Sequence, residues 1–317
     1  MIEVSNLSVT FGQAQAVRDA SLTIPPGARI GIVGESGSGK SMLGLALMGM
    51  APDAAQVTGS LIVDGAEMSG ASERDWRRLR ARHIAMIFQE PMAALNPLVR
   101  VGDTVAEPLR IHEGLSRDAA LDRALALFKE VGLPNPEARL RQFPHEISGG
   151  QRQRVLIALA LACNPGLLIA DEPTTALDAN VALRVTELLT DLSVRRQMSL
   201  LFISHDLAAV ARATTEIVVM YGGTVVERGP TDQVLNAPRH PYTKGLLAAR
   251  PRPEGLRQGG VRRRLPTIPG TVPPLEKLPP GCRFAGRCPV ELPQCAATRP
   301  PVVDNAVCHL LAEGGAA

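Results

Sequence analysis

Residues 31–41 read Gly31-Ile32-Val33-Gly34-Glu35-Ser36-Gly37-Ser38-Gly39-Lys40-Ser41, or GIVGESGSGKS. Four glycines and three serines stand between two apolar runs, with a single lysine near the end. Glycine is costly to order and adds nothing to a core, so a cluster of it marks a place where backbone comes close to something else. Residues 34–41 fit G-x-x-x-x-G-K-[ST] in full. Upstream, Arg29-Ile30-Gly31-Ile32-Val33 predicts a buried strand; downstream, residues 41–50 predict a helix, and this is the context the pattern requires. Gly34, Ser36, Gly37, Ser38 and Gly39 can turn backbone N–H groups toward a phosphate at the positive end of that helix. Lys40 then reaches the β- and γ-phosphates and Ser41 Oγ ligates Mg²⁺.

Working outward, Leu167-Leu168-Ile169-Ala170-Asp171-Glu172 is an apolar strand ending in two carboxylates. Asp171 is placed to hold Mg²⁺ through water, and Glu172 to act as base for the water that attacks the γ-phosphate. Adjacent acids are usually surface charges, and this pair gains its weight from the phosphate loop upstream. Ile147-Ser148-Gly149-Gly150-Gln151-Arg152-Gln153-Arg154 leads into an apolar helical run at 155–162. Ser148, Gly149, Gly150 and Gln151 thus form a second anion site at a helix start, one too many for a single nucleotide on one phosphate loop. Two copies of the chain, or the chain and a relative, would use it if each lent the turn to the other's ATP.

The rest of the chain reads as an α/β protein. Residues 1–30 alternate apolar and polar positions with a Pro25-Pro26-Gly27 turn, the pattern of short strands joined by tight turns. Residues 119–131 place Leu121, Leu125 and Phe128 on one helical face, so about 100–145 reads as a helical insertion. Strands at 167–170 and 200–204, separated by a helix at about 181–195, predict a mostly parallel sheet. From 250 to 281 there are eight prolines, which reads as a linker or extended arm, with Arg262-Arg263-Arg264 as a solvated charge run or, on the sharper reading, a surface for an acidic partner.

A chain of 317 residues that is 45% hydrophobic can bury a sizeable core, and a formal charge of +3 gives no strong argument for nucleic-acid binding as the main business, so any basic partner surface would be local. The start, MIEVSNLSVTFG, does not read as a secretory signal, so a cytoplasmic location is expected. The uncharged run at 155–170 is broken by Asn164-Pro165-Gly166 and too short to span a bilayer. Work at a membrane would therefore require docking onto other subunits.

The ordered set GESGSGKS, FQEP, ISGGQRQR, LLIADEP, TALD and ISHD resembles the nucleotide-binding subunit of ATP-binding-cassette (ABC) transporters over residues 1 to about 245. The resemblance implies a P-loop ATPase with an antiparallel β subdomain and a helical subdomain at about 100–160, followed by a cysteine-containing extension over 246–317. It implies that Phe11 stacks on adenine, and that Gln89 senses Mg²⁺ and signals to membrane subunits. Ser148 and Gly150 would contact the partner's γ-phosphate, Asp178 would link the two sites, and His205 would contact the γ-phosphate in cis. Taken singly, Phe11 reads as an ordinary strand aromatic and Gln89 or His205 as surface polar residues; the register of the set lifts them above that. Ile147 stands where leucine is usual, a conservative departure.

FQEPMAALNP (88–97), HPYTKGLL (240–247), the proline-rich arm and CRFAGRCP (282–289) further resemble the oligopeptide, dipeptide and nickel importer branch, and its D-type ATPase subunit. Implied with it are ATP hydrolysis coupled to transport, peripheral attachment at the cytoplasmic face of the cell membrane, a second related or identical ATPase subunit, two permeases and a periplasmic or extracellular solute-binding protein. A cassette ATPase of DNA repair or translation is the competing class. Its members carry two cassettes, a zinc hook or a long coiled coil, and none is visible. A P-loop kinase or GTPase leaves ISGGQ unexplained.

Cys163 reads as a buried core residue, whereas Cys282, Cys288, Cys295 and Cys308 crowd the last 36 residues. A cytoplasmic location argues against two disulfides, and zinc sites usually include a C-x₂₋₄-C pair that is missing here. An iron–sulfur cluster, zinc and unligated thiols stay open on the residues alone, with His309 as a substitute ligand or a plain surface residue. The resemblance favours a [4Fe–4S] cluster, with Zn²⁺ the alternative, in a structural role: clamping an arm that cannot build its own core.

Overall fold

The computed structural model describes residues 1–89, 94–175, 177–250 and 266–314. Glu90, Pro91, Met92 and Ala93 of the FQEPMAALNP run, Ala176 of TALD, and the triple arginine Arg262-Arg263-Arg264 lie outside the described residues. The alternating N-terminal segment forms β1 (Ile2–Phe11) and β2 (Ala14–Ile24), antiparallel with Ile2 opposite Ile24 and Phe11 opposite Ala14. These are two long strands where several short ones were expected, because Gly12 supplies the left-handed turn (φ +57) between them, and the irregularities at Asn6 (φ +51) and Asp19 (φ +46) shift the register without ending either strand. The chain then enters β3 (Arg29–Val33) of a second sheet and α1 (Lys40–Leu47). It returns through β4 (Gln56–Val63) and β5 (Ala66–Glu67), which complete a four-stranded antiparallel sheet in the order β2-β1-β4-β5. α2 (Glu73–Leu79) follows, its first turn capped by Ser72.

The second sheet is parallel at its centre. There β9 (Glu216–Tyr221), β3, β8 (Ser199–Ile203), β7 (Leu167–Asp171) and β6 (Ile84–Ile87) lie side by side in that order. Both faces are covered, which is why these segments read as unbroken apolar runs. Alternate residues serve two cores: Ile30, Ile32, Leu201 and Ile203 pack with α1 and the antiparallel sheet, and Val33, Leu200 and Phe202 pack with the helices on the other face.

That helical layer includes α3 (Val101–Glu113), α4 (Arg117–Glu130), α5 (Gly149–Ala160) and α6 (Ala179–Arg195). α4 buries Ala120, Ala124, Leu127 and Phe128. The expected face of Leu121, Leu125 and Phe128 is rotated so that the two leucines sit half-buried at its edge, because small alanines let the helix approach its neighbours closely. After β8 come α7 (Leu207–Ala213) and, beyond β9 and the antiparallel β10 (Thr224–Pro230), α8 (Thr231–Asn236) and α9 (Pro241–Ala248).

The C-terminal segment departs from the expected linker. Ile268, Val272, Cys282, Phe284 and Cys288 pack on the larger core, and the two-residue strands β11 (Val302–Val303) and β12 (Ala306–Val307) extend the main sheet through a Glu227–Ala306 pair. Phe284 completes a ring cluster with Tyr221 and Tyr242, centroids 5.1 and 5.4 Å away. The described residues of the arm need no core of their own, because they use the main one. His309, which begins α10 (His309–Ala312), is 8% exposed and its Nε2 lies 2.9 Å from Thr298 O, so it is no surface histidine.

Candidate nucleotide site

Open parallel sheets bind ligands beyond the carboxyl ends of their strands. The phosphate loop follows β3, Ser204-His205 follows β8, and Asp171-Glu172 ends β7. These three strands are neighbours in the sheet, so three motifs far apart in the sequence form one row. The row borders a cleft of about 580 Å³ lined by residues 36–42 with Ala16, Gln89, Glu172, Thr175, His205 and Leu275.

The loop can take no larger residue at two of its glycines. A Cβ on Gly34 would stand 2.2 Å from Met220 O, and one on Gly39, at φ +94, 2.3 Å from Ala16 O. Ser38 is buried and Lys40 is 7% exposed. Lys40 Nζ donates to Gly34 O at 2.9 Å and Glu35 O at 3.0 Å, so the ammonium is held by the loop's own carbonyls. Burial holds this amine below the usual lysine range, against the opposing pull of Glu172, Asp171 and Glu35.

Ser41 Oγ donates to Asp171 Oδ1 at 2.9 Å. Burial pushes the Asp171 carboxyl up, helped by the neighbouring Glu172 charge and opposed by Ser41 and Lys40. A buried carboxylate short of positive charge, beside a hydroxyl and within reach of a cleft that Gln89 also lines, fits a hard divalent cation. Glu172 sits at φ +49, 7% exposed, with its carboxylate accepting from His205 N at 3.1 Å and 2.9 Å from His205 Nδ1. The left-handed backbone of a non-glycine residue is costly, and here it turns the carboxylate into the cleft. The His205 side chain itself is 69% exposed, in a position to meet a ligand.

The second anion turn is elsewhere. Ser148 caps α5, its Oγ accepting from Gln151 N at 3.3 Å while Gln151 Oε1 accepts from Ser148 N at 3.1 Å. Ser148 and Gly149 are exposed, and none of residues 148–151 is among those lining the cleft. A Cβ on Gly150 would meet Val181 Cγ1 at 3.0 Å. Asp178 is exposed and caps α6, accepting from Asn180 N and Val181 N at 3.1 and 3.0 Å. Phe11 is half-buried at the end of β1 against the antiparallel-sheet core, whereas Ala16 and Leu275 reach the cleft.

Cys282, Cys288, Cys295 and Cys308 line one small cavity with Phe284 and His309, and all are free thiols. Burial pushes Cys282 up to about 12 and Cys288 up to about 11. Among the described residues, no three His, Cys, Asp or Glu side chains are grouped so that they could hold a metal ion. The thiols converge on one cavity without forming a ready ligand set.

Several cleft contacts escape a reading by motif. Tyr242, noted only as part of a histidine-proline-tyrosine run, accepts the Glu35 N–H on its Oη at 2.8 Å. Arg287 pairs with the Glu35 carboxylate from 252 residues away. Leu275 comes from the proline-rich arm.

The ABC transporter family model matches residues 17–175, and the model of the oligopeptide/dipeptide transporter C-terminal region matches 226–295. The dipeptide transport ATP-binding protein DppD of Escherichia coli is 42% identical over 99% of this chain and 94% of its own length. The oligopeptide transport ATP-binding protein OppD of Bacillus subtilis is 45% identical over 90% of this chain and 81% of its own. The solved dimeric post-hydrolysis ATP-binding cassette MJ0796, bound to ADP and Pi, superimposes with a TM-score of 0.65 at 28% identity, over 73% of this chain and 99% of that one.

Proposed function

The chain belongs to the ABC transporter family of ATP-binding proteins, in the branch that carries the oligopeptide/dipeptide transporter C-terminal region, and on that premise we propose that it is the ATP-hydrolysing subunit of an importer of peptides or a related small solute. One observation carries the reading: the cleft is lined by a phosphate loop, Glu172 and a histidine, with Asp171 joined to the loop through Ser41, while the exposed Ser148 turn is not among the residues that line that cleft. A second ATPase subunit, identical or related, completes each site with its own Ser148–Gln151 turn, so that two nucleotides lie in a head-to-tail interface. Asp178 stands between the two sites.

Lys40 leaves the Gly34 and Glu35 carbonyls for the β- and γ-phosphates. Ser41, Asp171 and Gln89 would hold Mg²⁺, which when bound neutralises charge on those phosphates. Glu172, oriented by the His205 backbone, takes the proton of the attacking water, and the His205 ring contacts the γ-phosphate. Phe11, opposite Ala14 at the end of β1, stacks on the adenine. Closure on ATP and reopening after hydrolysis drive two permease subunits, fed by a solute-binding protein; nucleic acid has no part in it. Among the described residues no helix is long and apolar enough to cross a membrane, and the chain docks on its permeases at the cytoplasmic face. Hydrolysis per chain should fall steeply on dilution of the purified protein. A rate per chain independent of dilution would sink the shared site.

The four tail cysteines are proposed to hold a [4Fe–4S] cluster, supported by their convergence on one cavity as free thiols. The thiols would have to close in and lose their protons, and the role would be structural. Anaerobically purified protein should contain iron and acid-labile sulfide, both lost in Cys288→Ser; a colourless protein with stoichiometric zinc would overturn it.

A further inference from the structure

The C-terminal segment reaches back to the phosphate loop at its first variable residue, Glu35. Arg287 Nη1 donates to Glu35 Oε2 at 2.8 Å and Nη2 to Oε1 at 3.2 Å, a two-pronged pair with the arginine side chain 6% exposed. The same guanidinium donates to Tyr221 Oη at 3.1 Å, lies 5.6 Å from the Tyr221 ring centroid, and donates to Pro269 O at 2.7 Å. Tyr242, fully buried, takes the Glu35 N–H. Arg283 donates to the side chain of Gln15, next to the cleft-lining Ala16, and Leu275 also lines the cleft.

Nothing in the phosphate-loop pattern calls for a carboxylate at this position, and a carboxylate beside bound phosphates repels them. The Glu35 charge is felt at Lys40, the residue that must grip those phosphates. Its compensation comes from Arg287, and the fork geometry that compensates it also fixes the direction of the loop. Tyr242 meanwhile ties down the Glu35 N–H at the loop's start.

We propose that the C-terminal segment is a working part of the ATP site, in which Arg287 is a positioning residue that, through Glu35, holds the phosphate loop in its binding shape and cancels a charge that would otherwise weaken ATP affinity. This rests on the reading of the cleft as an ATP site, which ATP binding by the unaltered chain tests separately. The tail is therefore coupled to nucleotide affinity: whatever moves the Cys282–Cys288 loop, which carries both Arg283 and Arg287, changes the grip on ATP.

The test is equilibrium binding of ATP to the full chain and to Arg287→Met, Arg287→Lys, Tyr242→Phe and the double variant Glu35→Gln/Arg287→Met. Loss of the compensating charge should weaken ATP binding about tenfold in Arg287→Met, and Arg287→Lys, which keeps the charge but loses the two-pronged geometry, should weaken it about threefold. The double variant should bind ATP more tightly than Arg287→Met, since the repelling charge is gone, although it has lost one more native side chain. A merely structural arginine would leave the double variant no better than the single one. Unchanged ATP affinity in Arg287→Met, or a double variant as weak as Arg287→Met, overturns the proposal. Should Arg287→Met not fold, unchanged affinity in both Arg287→Lys and Tyr242→Phe would overturn it equally.

Discussion

Acid should loosen this protein through His240. The side chain is 1% exposed, and its Nδ1 accepts the Tyr242 N–H at 3.0 Å, which requires the neutral ring. Burial pushes its pKa down to about 4 from an ordinary 6.5, only partly offset by a hydrogen bond with the Val307 backbone. With the folded pKa depressed, the unfolded chain takes up the proton first, so stability is full above 6.5 and falls as pH drops toward 4. Between pH 7 and 5 the loss from this one group is about 2 kcal/mol, and about 3 kcal/mol over the whole window. The comparison is urea unfolding of the native chain and His240→Gln at pH 7, 6 and 5. The variant should be the less stable at pH 7, and the gap should shrink by about 2 kcal/mol by pH 5 because glutamine cannot protonate. A gap constant across that range would refute the buried, neutral histidine.

Other variants probe the site and its support. Phe284→Ala empties the centre of the Tyr221–Tyr242 cluster at a residue 2% exposed, and should cost about 3–5 kcal/mol in denaturant unfolding. Gly39→Ala puts a methyl 2.3 Å from Ala16 O at a left-handed residue, so ATP affinity should fall at least about tenfold by equilibrium binding while the far-UV spectrum is kept. Ser148→Arg should abolish hydrolysis while leaving nucleotide affinity of the dilute chain within about twofold, because its own cleft is untouched.

What was legible was local. The phosphate loop, the Asp171-Glu172 strand end and the Ser148 helix start each state their mechanism within a dozen residues, and the parallel strands announce themselves as unbroken apolar runs. The contacts that frame the cleft from the tail were not legible. Arg287 meets Glu35 across 252 residues, and an arginine between a glycine and a cysteine carries no local sign of an ion pair. Leu275 lies in a proline-rich stretch whose composition reads as linker, yet its neighbours Ile268 and Val272 reach the main core. β11 and β12 are two residues each, too short for any period to show. The α4 face was misread because leucines outweigh alanines in a pattern, whereas close helix packing prefers the alanines.

The shared site is tested most directly by sedimentation of the Glu172→Gln chain with and without Mg-ATP. Removing the base while leaving the phosphate grip intact should convert monomers to a stable dimer holding two nucleotides, and adding Ser148→Arg to the same chain should abolish that dimer. A Glu172→Gln chain that stays monomeric at saturating Mg-ATP, or one that dimerises as well without nucleotide or with Ser148→Arg, would contradict it.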